Sequence, residues 1–176
     1  MQRQQGWCSK AVLTWRLIPL VMLLLATVPA LALESPQERV ILTLSGQLTS
    51  PNVGEEAHFD ARMLESLPQH DVTTGNPWID GQSRFSGPLL RDVLAAAGAE
   101  GSELRVIAIK DYESLIPVED VEQHDVILAM RRDGEPMRIR DKGPLFVVYP
   151  FDDEPELKTN IYFSRSVWQV ARIEVR

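Results

Sequence analysis

Cysteine is nearly absent from this chain. Its 176 residues include one, Cys8, which lies in a short segment ahead of a long apolar run. Without that segment the chain has no thiolate ligand, no thiol nucleophile and no disulfide. The sequence therefore excludes thiol chemistry from residues 33–176.

Runs of lysine and arginine are lacking as well. All 25 Asp and Glu residues lie at positions 33–176, together with 15 of the 18 Lys and Arg residues, which gives this part a net charge of −10. An acidic field of that size repels nucleic acid and anionic lipid surfaces. We therefore expect neither nucleic acid nor a membrane surface as a partner of the folded part.

The N-terminus has the three parts of a secretory signal peptide. Basic residues come first, then an uncharged apolar run, then a small-x-small cleavage site: Arg3, Lys10 and Arg16, residues 17–33, and Ala30-Leu31-Ala32. We predict a signal peptide at residues 1–32 and a single domain at residues 33–176. An uncleaved anchor is the alternative, because the apolar run is about long enough to span a bilayer.

This signal lacks a paired arginine, the mark of a distinct export route for chains that fold before crossing. Arg3 is followed by Gln4, and Lys10 by Ala11. The pattern is that of a Sec-type signal, which predicts a periplasmic or secreted protein with no membrane attachment after cleavage. A chain threaded unfolded across a membrane does not carry a large cofactor assembled in the cytoplasm.

Strand and helix patterns follow one another irregularly along residues 33–176. Apolar or alternating runs predict strands at 40–46, 70–74, 104–109, 114–116, 125–130, 145–149 and 167–175. Short helices are predicted after Asp60, Pro88 and Pro117, and a hairpin turn at 132–135. Because no regular βαβα rhythm is present, we predict an α+β fold of mixed sheets with short helices.

Two of these elements define a core. The helix after Pro88 has one apolar stripe that includes Leu90, Val93 and Leu94, and Gly98 is suited to end it. The run at 145–149 is apolar enough to be a central strand covered on both faces. We therefore predict that the stripe and Val147 are buried.

Six short motifs occur in an informative order. They are residues 85–94 with Ala97-Gly98, Lys110-Asp111-Tyr112, Ile116-Pro117, 127–129, 133–136, and Gly143-Pro144-Leu145 leading to 147–150. In order and spacing the chain is similar to the oxidoreductase molybdopterin-binding domain, the catalytic fold of the sulfite oxidase family. The resemblance covers about residues 45–150. It implies an α+β domain of mixed sheets whose loops build a pterin pocket.

The chain departs from that family at two positions. In family enzymes a cysteine before the segment that matches Phe85 binds molybdenum, but here Thr73 and Thr74 occupy that stretch. A neutral hydroxyl is a poor substitute for a soft thiolate. Many members also place an arginine after the Gly-Pro turn to hold the pterin phosphate, where this chain has Phe146. We therefore expect the fold without the redox centre, although the resemblance implies molybdopterin as a cofactor.

The predicted ligand site is the degenerate pterin pocket. Six residues are its candidates: His70, Thr73, Thr74, Trp78, Tyr112 and Arg140. A guanidinium and aromatic rings would suit a small molecule or an anion. We predict no metal site, because the three histidines show no metal-ligand spacing.

Three functions fit this sequence. The first is a periplasmic ligand-binding or sensing module without molybdenum, and the second is a molybdopterin-dependent oxidoreductase whose metal has no cysteine ligand. The third is an interaction partner of a membrane sensor. One basic stretch, 131–142, either binds an anion or an acidic partner, or forms a solvated hairpin surface.

Overall fold

Residues 33–176, the part of the chain that this computed structural model describes, form strands joined by short helices. The strands are β1 (Val40–Gly46), β2 (Ala57–Asp60), β3 (Gln69–Asn76), β4 (Ile79–Pro88), β5 (Glu103–Ala108), β6 (Glu113–Pro117), β7 (Ile127–Ala129), β8 (Arg131–Arg132), β9 (Glu135–Pro136), β10 (Phe146–Val148) and β11 (Val170–Val175). The helices are α1 (Ala61–Ser66), α2 (Leu90–Ala96), α3 (Val118–Gln123) and α4 (Asn160–Arg165), with 3-10 turns at Ile139–Asp141 and Pro155–Leu157. The predicted signal peptide, its cleavage site and Cys8 lie outside the described residues.

A five-stranded sheet carries the main core, in the order β2-β1-β11-β5-β6. β1 pairs parallel with β11, and the other neighbours pair antiparallel. The predicted alternation along β11 holds at Ile173 and Val175, which are buried. It fails earlier, because Gln169 has a φ of +56° and a register shift follows Val170, so that Val170 is buried in place of Ala171.

A second sheet has the order β3-β4-β8-β9. The sequence predicted β3, but it missed β4, whose first half is polar and contains Gly81. The residues of this segment have a low intrinsic preference for strands, and hydrogen bonding to β3 on one side and β8 on the other stabilises the strand instead. Pro88 therefore ends a strand instead of entering a helix, and α2 begins at Leu90.

β10 and β7 form a separate two-stranded sheet. The prediction of complete burial is confirmed, because Phe146, Val147 and Val148 are each at most 1% exposed. The prediction of a central strand is wrong in one respect: β10 pairs with β7 alone among the strands of residues 33–176. Both of its faces are covered, because Val147 packs into the main core while Phe146 and Val148 pack into a second core with Val72 and Phe85 of the β3–β4 hairpin.

The predicted capping and core residues take their expected places. Asp60 caps α1 by accepting a hydrogen bond from the Met63 amide at 2.9 Å. Leu90, Val93 and Leu94 of α2 are buried in the main core, and Gly98 ends the helix with a φ of +62°. The prediction of an α+β fold is confirmed.

No helix within residues 33–176 is long and apolar enough to cross a membrane.

Candidate functional site

The β3–β4 hairpin carries Thr73 and Thr74, the two threonines in the stretch where the family resemblance implies a cysteine. Thr73 lies opposite Arg84 and Thr74 lies opposite Ser83. Because successive side chains of a strand point to opposite faces, Thr73 is exposed while Thr74 is 1% exposed. One hydroxyl therefore faces solvent, and the other is enclosed by protein.

Asp152 anchors the end of this hairpin to the loop after β10. Its carboxylate accepts hydrogen bonds from the Gly75 amide at 2.9 Å and the Gln82 side chain at 2.7 Å, and it pairs with Lys158 Nζ at 2.6 Å. The Asp152 amide in turn donates to the Thr74 hydroxyl at 3.2 Å. The ammonium of Lys158, followed by Gln82 and the Gly75 amide, lowers the pKa of Asp152 to about 2.

Five aromatic rings meet beside this anchor, and we call them the ring cluster: Trp78, Tyr112, Phe146, Phe163 and Trp168. Trp168 is central, with ring centroids 5.0 Å from Trp78, 6.4 Å from Tyr112 and 6.5 Å from Phe146. Phe163 completes the cluster at 6.2 Å from Trp78. Trp78 and Tyr112, which lie on segments distant in sequence, therefore both pack against the Trp168 ring.

The cation at the ring cluster is Lys142. Its ammonium nitrogen lies 4.5 Å from the centroid of the Trp168 ring, within the range of a cation–π contact. The predicted cation, Arg140, has a side chain that is 73% exposed and pairs with Asp141 at 3.6 Å. Among residues 33–176 the Arg140 guanidinium makes no cation–π contact, so Lys142, and not Arg140, is the cation over this cluster.

A backbone turn is the reason for this correction. Lys142 belongs to the basic stretch and adopts a left-handed conformation with a φ of +73° immediately before Gly143. That turn reverses the chain after Ile139–Asp141 and brings the lysine back over Trp168. The backbone reversal, which no residue pattern announced, selects Lys142 over Arg140.

His70 lies far from the ring cluster along the hairpin. It is half-buried near the start of β3, opposite Gly87, while Trp78 follows the end of that strand. At a strand rise of about 3.3 Å per residue, the six steps along the chain from His70 to Asn76 span about 20 Å. The structure therefore separates His70 from the other candidates instead of gathering it with them.

A buried polar triad positions α4, which carries Phe163. The Asp120 carboxylate accepts hydrogen bonds from the Tyr149 hydroxyl and from Arg165, both at 2.8 Å. Burial, with the negative charge of Asp120, raises the pKa of the Tyr149 phenol far above its ordinary value. Tyr149 therefore stays protonated, and the triad is a structural clasp that sequence analysis did not anticipate.

The donors at this site do not fit a molybdenum centre of the sulfite oxidase type. The Thr74 hydroxyl is already hydrogen-bonded to the Asp152 amide and to Gly75 O. Phe146 is 1% exposed and packs edge-on against Phe85, with centroids 5.8 Å apart, so no group at that position holds a phosphate. Within residues 33–176 no three His, Cys, Asp or Glu side chains are grouped to bind a metal.

Comparison with known proteins identifies the family. The family described as the oxidoreductase molybdopterin binding domain matches residues 52–176. The chain belongs to this family. Since the match spans most of the chain, the resemblance deduced from the six motifs is confirmed.

A solved structure agrees with this membership. The crystal structure of the sulfane dehydrogenase SoxCD from Paracoccus pantotrophus is similar to this chain, with a TM-score of 0.57 and 20% identity. The similarity covers 76% of this chain but 37% of that one. At this identity the likeness shows the fold, which is of the sulfite oxidase type. No curated protein matches the sequence.

Proposed function

We propose that this molybdopterin-binding-type domain is an exported ligand-binding or sensing module that works without molybdenum. The observation that carries the proposal is the state of Thr74. Its hydroxyl is buried and hydrogen-bonded within the protein, in the stretch where family enzymes present a thiolate. Neither threonine supplies the soft ligand that a high-valent metal requires.

The ring cluster supports a binding role for the same region. Tyr112 is 51% exposed and stacks nearly parallel to Trp168, with an interplanar angle of 7°. Lys142 provides a positive charge beside these rings. A planar aromatic anion suits this arrangement. Its ring would stack on the exposed surface of Tyr112, and its charge would pair with the Lys142 ammonium.

The main alternative is a molybdopterin-dependent oxidoreductase whose metal has a non-cysteine ligand. Family membership and the fold favour it. We propose that a membrane sensor protein binds the module in its ligand-bound state. In the third alternative, such a sensor binds the domain and no small ligand is involved.

The deciding experiment is metal and pterin analysis of the mature protein purified from the periplasm of its own host. A cysteine-containing member of the family, produced in the same cells, serves as the control for cofactor supply. We expect the control to contain molybdenum and pterin and this protein to contain neither in stoichiometric amount. Stoichiometric molybdenum with pterin fluorescence would instead establish the oxidoreductase.

Binding at the ring cluster is tested with benzoate as a planar anion. We expect benzoate to change tryptophan fluorescence in wild type and in the control Lys110→Gln. Lys110 is an exposed lysine that makes no cation–π contact within the described chain. Lys142→Gln should weaken the response. An equal response from both variants would remove Lys142 from the ligand site.

A further inference from the structure

A separate groove lies between the main sheet and the turn that precedes Gly143. It has a volume of about 490 Å³, which falls within the range of small-molecule sites. Its floor is the outer side of β1 and β11, including Ile41 and Ala171, and its wall is formed by Met137, Ile139 and Pro144. None of the residues of the ring cluster lines it.

Exposed apolar side chains flank this groove. Ile109 is 45% exposed and Ile139 is 52% exposed, and both line it. Large exposed apolar residues gathered at one concavity are typical of binding surfaces, whereas scattered ones are not. The groove therefore offers a surface for an aliphatic or other apolar group.

Both isoleucine-bearing segments are held by a single residue, Gln169. Its side chain donates to the Ile139 carbonyl at 2.6 Å, and its carbonyl accepts from the Ile109 amide at 2.9 Å. Gly143 adds to this rigidity, because a Cβ there would lie 2.1 Å from the Met137 carbonyl oxygen. The turn therefore packs closely on the Met137 backbone and is held by Gln169, so the groove is preformed.

The charge at the groove has the opposite sign to that of the chain. Arg39, Arg138 and Arg172 line it. Although residues 33–176 include every carboxylate side chain of the protein, none lies within 4.0 Å of the Arg39 or Arg138 guanidinium, and Arg172 reaches only Asp111, at 3.9 Å. By contrast, Arg105 pairs with both Glu113 and Glu174. Two arginines without an acidic partner therefore share one apolar groove.

We infer that this groove binds an organic anion with an aliphatic body, of the carboxylate or sulfonate class. The anionic head pairs with Arg39 and Arg138, because a guanidinium offers a fork of donors to such oxygens. The aliphatic body lies along Ile41, Met137 and Ile139. This site is distinct from the ring cluster, and the inference holds whether or not the ring cluster binds a ligand or the protein contains metal.

Calorimetric titration of the mature protein with decanoate, below its micelle concentration, tests this inference. We expect saturable binding, a rise in Tm with decanoate concentration, and weaker binding at high salt. Acetate lacks the aliphatic body and decyltrimethylammonium has the wrong charge, so neither should bind. Equal binding of the cation would overturn the assignment of the arginines.

Two arginines on the same turn provide matched variants. Arg138→Gln should weaken decanoate binding roughly tenfold, since hydrogen bonds to charged groups are the strong ones. Arg140→Gln removes an exposed guanidinium that does not line the groove, so its affinity should equal that of wild type. Equal losses in the two variants would reduce the effect to general surface charge and contradict the inference.

A fold control separates binding from stability. Without ligand, both variants should melt at the wild-type temperature, because neither guanidinium is buried. Ile139→Ser should weaken decanoate binding and leave the response to benzoate at the ring cluster unchanged. If decanoate fails to bind and the protein instead forms a dimer that Arg138→Gln dissociates, the groove is an interface between copies and the inference is wrong.

Discussion

Leu42, Leu44 and Ile173 of the five-stranded sheet are fully buried, whereas seven of the 18 residues in the β3–β4 hairpin strands are exposed. Apolar burial stabilises the sheet, and each of its strands depends on the same core. The hairpin end is held by the carboxylate of Asp152 and by contacts of Trp78 with other rings.

This difference shows which part of the family fold can change its chemistry. The sheet tolerates few substitutions, since every change is felt in a close-packed interior. The Thr73–Thr74 end of the hairpin is not part of that main core, and its polar contacts converge on Asp152. We therefore expect substitutions at the hairpin end to disturb the main core least.

The largest effect is expected in the main core. Leu90→Ala should lower the free energy of unfolding by about 2–5 kcal/mol, because it opens a cavity at a fully buried position. Denaturant titration measures this, and Leu115→Ala is the control, since Leu115 is 48% exposed and should change stability little. Similar small losses in both would erase the contrast between core and surface.

A smaller effect is expected at the hairpin anchor. Asp152→Asn should cost about 1–2 kcal/mol, since it weakens charge-assisted hydrogen bonds in a partly exposed site. Asp153→Asn is the control, because the Asp153 side chain makes no hydrogen bond or ion pair within the described chain. Amide exchange should localise the loss to Gly75 and its neighbours, and uniform loss over both sheets would contradict a separate hairpin anchor.

The Asp152 contribution also has a defined pH dependence. Its folded pKa is lowered to about 2, below the value of an unfolded aspartate, about 3.9. The carboxylate therefore stabilises the folded protein fully above the unfolded pKa, and this contribution is lost as the pH falls through the folded pKa. The stability difference between wild type and Asp152→Asn should vanish over that acidic interval, and persistence below it would exclude ionisation as the cause.

Tyr149→Phe should cost about 1 kcal/mol, because Asp120 loses one hydrogen bond but keeps Arg165. Tyr162→Phe is the control, since the Tyr162 hydroxyl has no hydrogen-bond partner within residues 33–176. The raised pKa of Tyr149 predicts that its phenolate does not form in the ordinary alkaline range while the protein is folded. If wild type gave a tyrosinate signal in that range and Tyr149→Phe did not, Tyr149 would ionise there. That result would contradict its place in the buried triad.

The smallest effect on stability is expected at the ring cluster. Lys142→Gln should change the free energy of unfolding by no more than about 1 kcal/mol, the scale of an exposed cation–π contact. Thermal unfolding measures the change, with Lys110→Gln as the control. A loss as large as that of Asp152→Asn would make Lys142 part of the anchor and not of the ligand surface.

The elements that were predicted from the sequence are those set by local interactions, such as a capping side chain or a turn residue. Asp60 caps α1, and Asp133 and Gly134 turn the β8–β9 hairpin with positive φ angles. β4 and α4 escaped prediction, because pairing with two strands and the Arg165–Asp120 contact stabilise them from elsewhere in the chain.

In the candidate site, too, some residues could be predicted from the sequence and others depend on the backbone conformation. Trp78 and Tyr112 could be predicted to converge from the family's order of motifs, and Trp168 does join them. Arg140 and Lys142 are chemically similar and two residues apart, so only the left-handed turn at Lys142 decides which of them reaches a ring. His70 is close to the threonines in sequence, yet an extended strand carries it away from them.

The pairing of β1 with β11 has a consequence for the order of folding. β11 is the middle strand of the large sheet, and it joins the N-terminal strand to β5. Almost the entire described chain separates these partners, so the sheet closes only at a high entropic cost and late in folding. A ribosome that still holds β11 also holds the sheet open. Until β11 is in place, β1 with β2 and β5 with β6 are two separate hydrogen-bonded strand pairs.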